Sequence, residues 1–425
     1  MSISRTSRLL RLSAIVAAAT LVAASCGSDE PSTGDPGDQV LSVPSHLWEG
    51  GADAEYMALM EELTVADNPG ASIDKPVIPF ADYHQQAYTQ MVSGQAPDVV
   101  IPYDPQMTQW VQQDLLEPLN PWLEEAGVDV EAMIEAEQVA VVDGEVYGLL
   151  AHSNPRLLVF NRQLFEQAGV EIPTTPEDWR AAIEAIRDTD NEVFGAAFVT
   201  GGASPADIYQ YLMPIVAGFG GAFVTDGEPT ATSDEVVEAL DFVKGLYNDG
   251  LVPAGTSSAD IVDAFQSGKI ASVVTGPFLA VATQEANPEV AQHVSLAQAP
   301  LPNPSVSVNL FMAMPRDAQH KDLAADFILN TVDPQILDLT IREKFVPPGM
   351  PVDVPADLLA EHPYLQEVVD AATTAVSYAP GGVGEQATDV MNIVGDGFQA
   401  MLTNDLSAEE TAESIQNELT TLLGS

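Results

Sequence analysis

The chain has 425 residues, 46% of them apolar, enough for a large buried core and for two or three domains or lobes. Its formal net charge is −49 with only five lysines, so its surface repels DNA, RNA and anionic lipid, and no nucleic-acid partner is expected. One cysteine, Cys26, excludes a disulfide framework, so stability must come from the core.

Residues 1–25 read as a secretory signal peptide. Arg5, Arg8 and Arg11 form a basic start, and the apolar run that follows is too short to span a membrane. The run ends in Leu21-Val22-Ala23-Ala24-Ser25-Cys26, which resembles a bacterial lipobox with Cys26 as the lipidated first residue of the mature chain. No later segment is long and apolar enough to span a membrane, so the mature chain is expected to be soluble apart from this lipid. Residues 26–39, rich in Gly, Pro and Asp, read as a flexible tether. The acids are spread along the chain, as on a solvated face suited to a salt-rich habitat. A cationic ligand is the sharper alternative.

The body opens with a strand at residues 40–43 and a helix at 53–63, with Tyr56, Leu59, Met60 and Leu63 on one face. A strand is expected at 77–80, a helix at 83–93 and a buried parallel strand at 98–101, behind Pro97. Asp143-Gly144 between apolar strands predicts a hairpin over 140–148. A strand at 157–160 leads into a helix over 161–168, stopped by Gly169. Thr175-Pro176-Glu177-Asp178 opens the next helix with Thr175 as N-cap. Strand-like segments at 194–200 and 270–275, a helix over 234–248 and two C-terminal helices complete an α/β pattern with helices on both sheet faces.

Motifs for covalent chemistry are absent. There is no G-x-S-x-G elbow, no Walker loop and no H-E-x-x-H, and the six histidines lack metal-ligand spacing. Gly218-Phe219-Gly220-Gly221 has Phe223 where a dinucleotide fingerprint needs glycine, and reads as a turn. No catalytic residue, metal or cofactor is expected.

Several blocks, in order over most of the body, carry a resemblance. Ser93-Gly94-Gln95-Ala96-Pro97-Asp98-Val99-Val100 is one; Tyr147-Gly148-Leu149 and Leu158-Val159-Phe160-Asn161-Arg162-Gln163-Leu164-Phe165-Glu166-Gln167-Ala168-Gly169 are others. Thr174-Thr175-Pro176-Glu177-Asp178-Trp179, Ala264-Phe265-Gln266-Ser267-Gly268-Lys269-Ile270-Ala271, Gly276-Pro277-Phe278 and Lys321-Asp322-Leu323-Ala324-Ala325-Asp326-Phe327-Ile328 follow. Together they resemble the bacterial extracellular solute-binding proteins of the sugar-binding family 1 type, the maltose-binding-protein-like receptors of ABC importers.

The resemblance implies a two-lobed periplasmic-binding-protein fold, type II-like, each lobe a mixed, mainly parallel sheet flanked by helices, with a hinge between them. The implied division is 40–152 plus 294–335 for the N-terminal lobe, and 153–293 plus 336–425 for the C-terminal lobe. Crossings are expected near 151–157, near His293 and between 333 and 345. The implied function is extracytoplasmic capture of a carbohydrate or polyol in the inter-lobe cleft, closure by hinge motion, and delivery to the transmembrane subunits of an ABC permease. The receptor would be a monomer anchored to the outer face of the cytoplasmic membrane, in a periplasm or on a cell surface. Leu150 replaces the proline of the family pattern and Phe278 its tryptophan; losing that tryptophan as a stacking ring favours a smaller or less sugar-like solute over an oligosaccharide.

Ligand groups in such clefts come from loops at strand ends. His46, Leu47, Trp48 and Glu49 follow the first strand, Tyr83 the second, and Tyr103 with Asp104 the third, an aromatic–carboxylate pair suited to a polyol or amine. Asn154, with Ser153, lies near the first crossing. Phe219 and Phe278 are candidate aromatic contacts, although core packing is the plainer role for both. Tyr378 and Glu385 lie in a Pro/Gly-rich loop before the last helices, and Arg342 is the one cleft cation the sequence suggests. Two other readings compete: a receptor for a polyamine or other cationic solute, and a secreted lipoprotein enzyme acting on polysaccharide.

Overall fold

The computed structural model describes residues 39–304 and 306–424; the expected signal peptide, the lipobox with Cys26 and nearly all of the tether lie outside them. The folded body is one compact unit with two hydrophobic cores. The smaller core gathers Leu41, Val43, Tyr56, Met60, Val99 to Ile101, Trp110, Leu149 to Ala151, Leu310 to Met314 and Phe327. The larger begins at Leu157 and holds Trp179, Tyr209, Phe223, Phe265, Val273, Phe398 and Ile415.

Local signals place the elements. Thr175 accepts a hydrogen bond from the Asp178 amide at 3.1 Å and starts the helix Pro176–Thr189. Gly169, at φ +67, ends Arg162–Ala168 in a left-handed cap, which glycine adopts without strain. Asp143 and Gly144, both at positive φ, turn the hairpin between Val141–Val142 and Glu145–Val146.

Three expected strands differ. Val40–Ser42 pairs in parallel register with Ser72–Asp74, and residues 77–80 form no strand. Only Val77 bridges there, to Ser45, because a helix already begins at Phe80. Residues 98–101 are buried, but Val100 exchanges hydrogen bonds with Ala313, and that bridge is antiparallel. Residues 194–200 likewise make one bridge, Phe194 with Ile270, and form no ladder.

Two long strands connect the cores. In Gly148–Pro155, Leu149 to Ala151 belong to the smaller core, and the chain enters the larger one at Leu157. In Val306–Ala313, Val306 and Val308 belong to the larger core and Leu310 to Ala313 to the smaller. The strands pair antiparallel, with a register shift at Leu310/Phe311. The return expected near His293 is therefore displaced. Val294–Ala297 pairs with Leu157–Asn161, and its Val294 and Leu296 pack in the larger core. A third connection follows Pro334–Glu343: Ile336 packs in the smaller core, Ile341 and Phe345 in the larger.

Candidate functional site

Between the two cores lies a cavity of about 520 Å³, within the range of small-molecule sites. Its floor is the strand pair. Side chains alternate along a strand, so His152 and Asn154 of Gly148–Pro155, with Arg156 just beyond it, face the cavity, as do Val308 and Leu310 of the partner strand. Ser153 and Ser307 share a 2.6 Å hydrogen bond instead. The smaller lobe contributes His46, Asp53, Phe80 and Tyr103, all near the starts of helices. The larger lobe contributes Asp207 and Tyr211, Ser258, and Phe278 with Glu285, from three helices.

Apolar and polar surfaces are sharply divided. Phe80 is 48% exposed and Phe278 36% exposed, two ring faces offered from opposite lobes. Behind Phe80 stands a cluster of rings: His46, Tyr83, His84 and Tyr103, with centroids 5.1 to 6.2 Å apart. His46 Nδ1, His152 Nδ1, Asn154 Oδ1 and Arg156 Nη1 are buried with no hydrogen-bond partner, and all four residues line the cavity.

Burial sets the charges. It pushes His46 down to about 4 and His84 to about 3, and it lowers His152 well below the usual histidine value, with Lys344 adding to the effect at His46 and His152. These rings are neutral at pH 7. Burial also opposes ionisation of Asp53, but the Lys344 ammonium 2.6 Å away outweighs it and lowers the carboxyl. Burial raises Asp207, partly offset by the 2.8 Å hydrogen bond from Ser258 Oγ. The cavity wall thus carries two cations, Arg156 and Lys344, beside three carboxyl groups, Asp53, Asp207 and Glu285, and of the cations only Arg156 lacks a carboxylate partner.

Of the residues singled out from sequence, His46, Leu47, Tyr103, Asn154 and Phe278 line the cavity. Trp48, Glu49, Tyr83, Asp104, Phe219, Tyr378 and Glu385 do not. Trp48 Nε1 donates to the Val43 carbonyl at 2.8 Å, and Glu49 is exposed beside it. The Tyr83 hydroxyl accepts from the Ile101 amide at 2.7 Å. The Asp104 carboxylate turns to the floor strand, accepting from Asn309 N and Nδ2 at 2.7 Å each, and burial raises it to about 6 despite these bonds. Phe219 packs on Phe242; Tyr378 is buried against Tyr209, whose hydroxyl donates to its carbonyl. Glu385 accepts from Gln113 at 3.3 Å on the surface. Arg342 is engaged by Asp338 and Asp357 outside the cavity. Phe80, His152, Arg156 and Asp207 also line it, and no motif singled them out. The period-two spacing of His152, Asn154 and Arg156 was the signal that could have found the floor.

A family model described as bacterial extracellular solute-binding protein matches residues 50–329. A binding protein of Brucella abortus is 26% identical over 268 residues, 61% of this chain and 62% of that protein, so the match spans under two thirds of the relative's length. The fold is similar to an ABC substrate-binding protein of Listeria monocytogenes solved with cycloalternan: TM-score 0.78, 21% identity, 91% of this chain and 99% of that one. It is also similar to an ABC transporter solute-binding protein of Agrobacterium vitis with bound D-mannitol: TM-score 0.77, 18% identity, 91% and 98% coverage. These likenesses establish the two-lobed periplasmic-binding-protein fold.

Proposed function

Since this chain belongs to the bacterial extracellular solute-binding protein family, a family of non-enzymatic receptors, we propose that it captures a carbohydrate or polyol between its lobes for an ABC permease. The observation that carries the reading is the cavity lining: two exposed aromatic faces, Phe80 and Phe278, beside unpartnered buried polar atoms on the floor. Aromatic faces cover the apolar side of a sugar ring, and neutral imidazoles and a carboxamide hydrogen-bond its hydroxyls. Binding by residues of both lobes stabilises the closed form, and so couples occupancy to the surface the permease reads. Lipidation of Cys26 at the outer face of the cytoplasmic membrane, and action as a monomer, belong to the same proposal. An enzyme acting on polysaccharide is set aside by the family. A polyamine receptor is disfavoured by Arg156, a cation in the wall without a carboxylate partner.

A thermal-shift screen tests the reading, using sugars, polyols, amino acids, polyamines and oligopeptides at low and molar salt. A ligand at 100 times its Kd adds about 2.7 kcal/mol of stability. A hit among saccharides or polyols, weakened several-fold by Phe80→Ala or Phe278→Ala, is the expected result. A shift with spermidine and none with any saccharide or polyol would overturn it.

A further inference from the structure

Arg156 is 5% exposed, and its guanidinium has neither a hydrogen-bond nor an ion-pair partner among the described residues. Every other described lysine and arginine has one. Eight are in ion pairs, Arg162 donates to the Gln292 carbonyl at 2.9 Å, and Arg187 donates to backbone carbonyls. In a chain with 63 acids and 14 bases, an acid partner is the easiest thing to supply. A buried unpaired cation is destabilising, so its retention at a cavity wall points to a partner that arrives from outside.

The surroundings describe that partner. Gly276 packs so closely that an added Cβ would stand 2.6 Å from Arg156 Nη1 and would collide with Asn154 Oδ1. The glycine leaves room for a charged donor and a bare acceptor side by side. The acids lining the cavity are committed or distant: Asp53 to Lys344, Asp207 to Ser258, and Glu285 at the exposed lip beside Gly51. Asp207 and the buried Asp104 attract Arg156 only through space, and no carboxylate among the described residues forms a salt bridge or hydrogen bond with it.

We infer that the solute is an acidic sugar, a hexuronate or a short oligomer of one, whose carboxylate seats on Arg156. This inference rests on the carbohydrate reading above. A planar guanidinium matches a carboxylate in two parallel hydrogen bonds, and Asn154 Oδ1 accepts a hydrogen bond from the neighbouring hydroxyl. His46 Nδ1 and His152 Nδ1 are left for other hydroxyls, and Phe80 and Phe278 for the ring faces.

The test is calorimetric titration of the whole protein with D-glucuronate, D-galacturonate and their short oligomers, each against its neutral counterpart. Acidic sugars bind at least about tenfold tighter than neutral ones. Arg156→Gln cuts acidic-sugar binding about tenfold to a hundredfold and leaves neutral-sugar binding within a few-fold. The unliganded Arg156→Gln variant melts no lower than wild type, because it loses an unpaired buried charge; a merely structural arginine would lower it. Arg156→Lys, which keeps the charge without the fork, gives an intermediate loss. Neutral sugars binding as tightly as acidic ones to wild type, or a preference that survives Arg156→Gln, overturns this inference alone. If no saccharide of either kind binds, the carbohydrate reading itself fails and takes this one with it.

Discussion

Asp104 follows Tyr103 directly, yet only the tyrosine reaches the cavity, because a helix starts between them. The Tyr103 ring stays on the cavity side, while the Asp104 carboxylate ties that helix to the floor strand through Asn309. Asp104→Ala leaves two buried Asn309 donors without acceptors and costs about 3 kcal/mol, read as a lowered denaturation midpoint. Solute affinity of the folded protein stays within a few-fold; a selective loss of affinity would restore Asp104 to the ligand site. His84 gives a pH prediction. Its folded value is about 3 and its unfolded value near 6.5, so between these pH values the unfolded chain binds more protons. Stability from this group is therefore full above pH 6.5 and falls as pH drops towards 3. Its Nε2 is also buried without a partner. His84→Phe removes both effects, and its advantage in melting temperature over wild type grows between pH 7 and pH 4. A constant gap would contradict the assignment.

At the scale of elements, the legible parts were those with local causes. Thr175, Gly169 and Asp143-Gly144 act through their own backbone, so capped helices and the hairpin could be read directly. Misplaced parts depended on distant partners. The apolar run at residues 77–80 reads as a strand, but Pro79 supplies no amide for a ladder and the helix Phe80–Val92 takes over at once. The second crossing is carried by Val306–Ala313, buried throughout, whose apolar residues pack in one core at one end and in the other core at the other end; periodicity cannot show that change of partner. The site suffered likewise: Tyr103, Asn154 and Phe278 sit at recognisable motif positions, whereas Arg156 gains its meaning only from what fails to face it. The proposed closure would also act between elements. Gly51, at φ +62, begins one lobe's helix, and an added Cβ there would lie 3.0 Å from Glu285 Oε1 on a helix of the other lobe. Aspartate tolerates this backbone region and would repel Glu285. Gly51→Asp is expected to weaken solute binding several-fold at low salt, and adding Glu285→Gln to recover most of it. No recovery would show that the two helices do not meet in the bound form.

Over the whole molecule, charge and site are separate matters. The net charge of −49 spreads over the surface and repels itself, and monovalent salt relieves that repulsion. Melting temperature is expected to rise from low salt to about 0.5 M, where the Debye length is only several ångströms. An acidic solute is repelled by the same field, so its association rate rises with salt while that of a neutral sugar does not. A salt-independent melting temperature would mean that the acids are locally neutralised, contrary to the 14 basic residues available for 63 acids. Among the described residues no helix is long and apolar enough to cross a membrane, and no acid–histidine cluster is arranged for a metal. The central claim is that a solute in the cleft draws the lobes together. Small-angle scattering of the protein with and without the tightest saccharide of the screen measures this most directly. The account predicts a smaller radius of gyration on binding, abolished when Phe80 and Phe278 are both replaced by alanine. A saccharide that binds with calorimetric saturation and leaves the radius unchanged would contradict it.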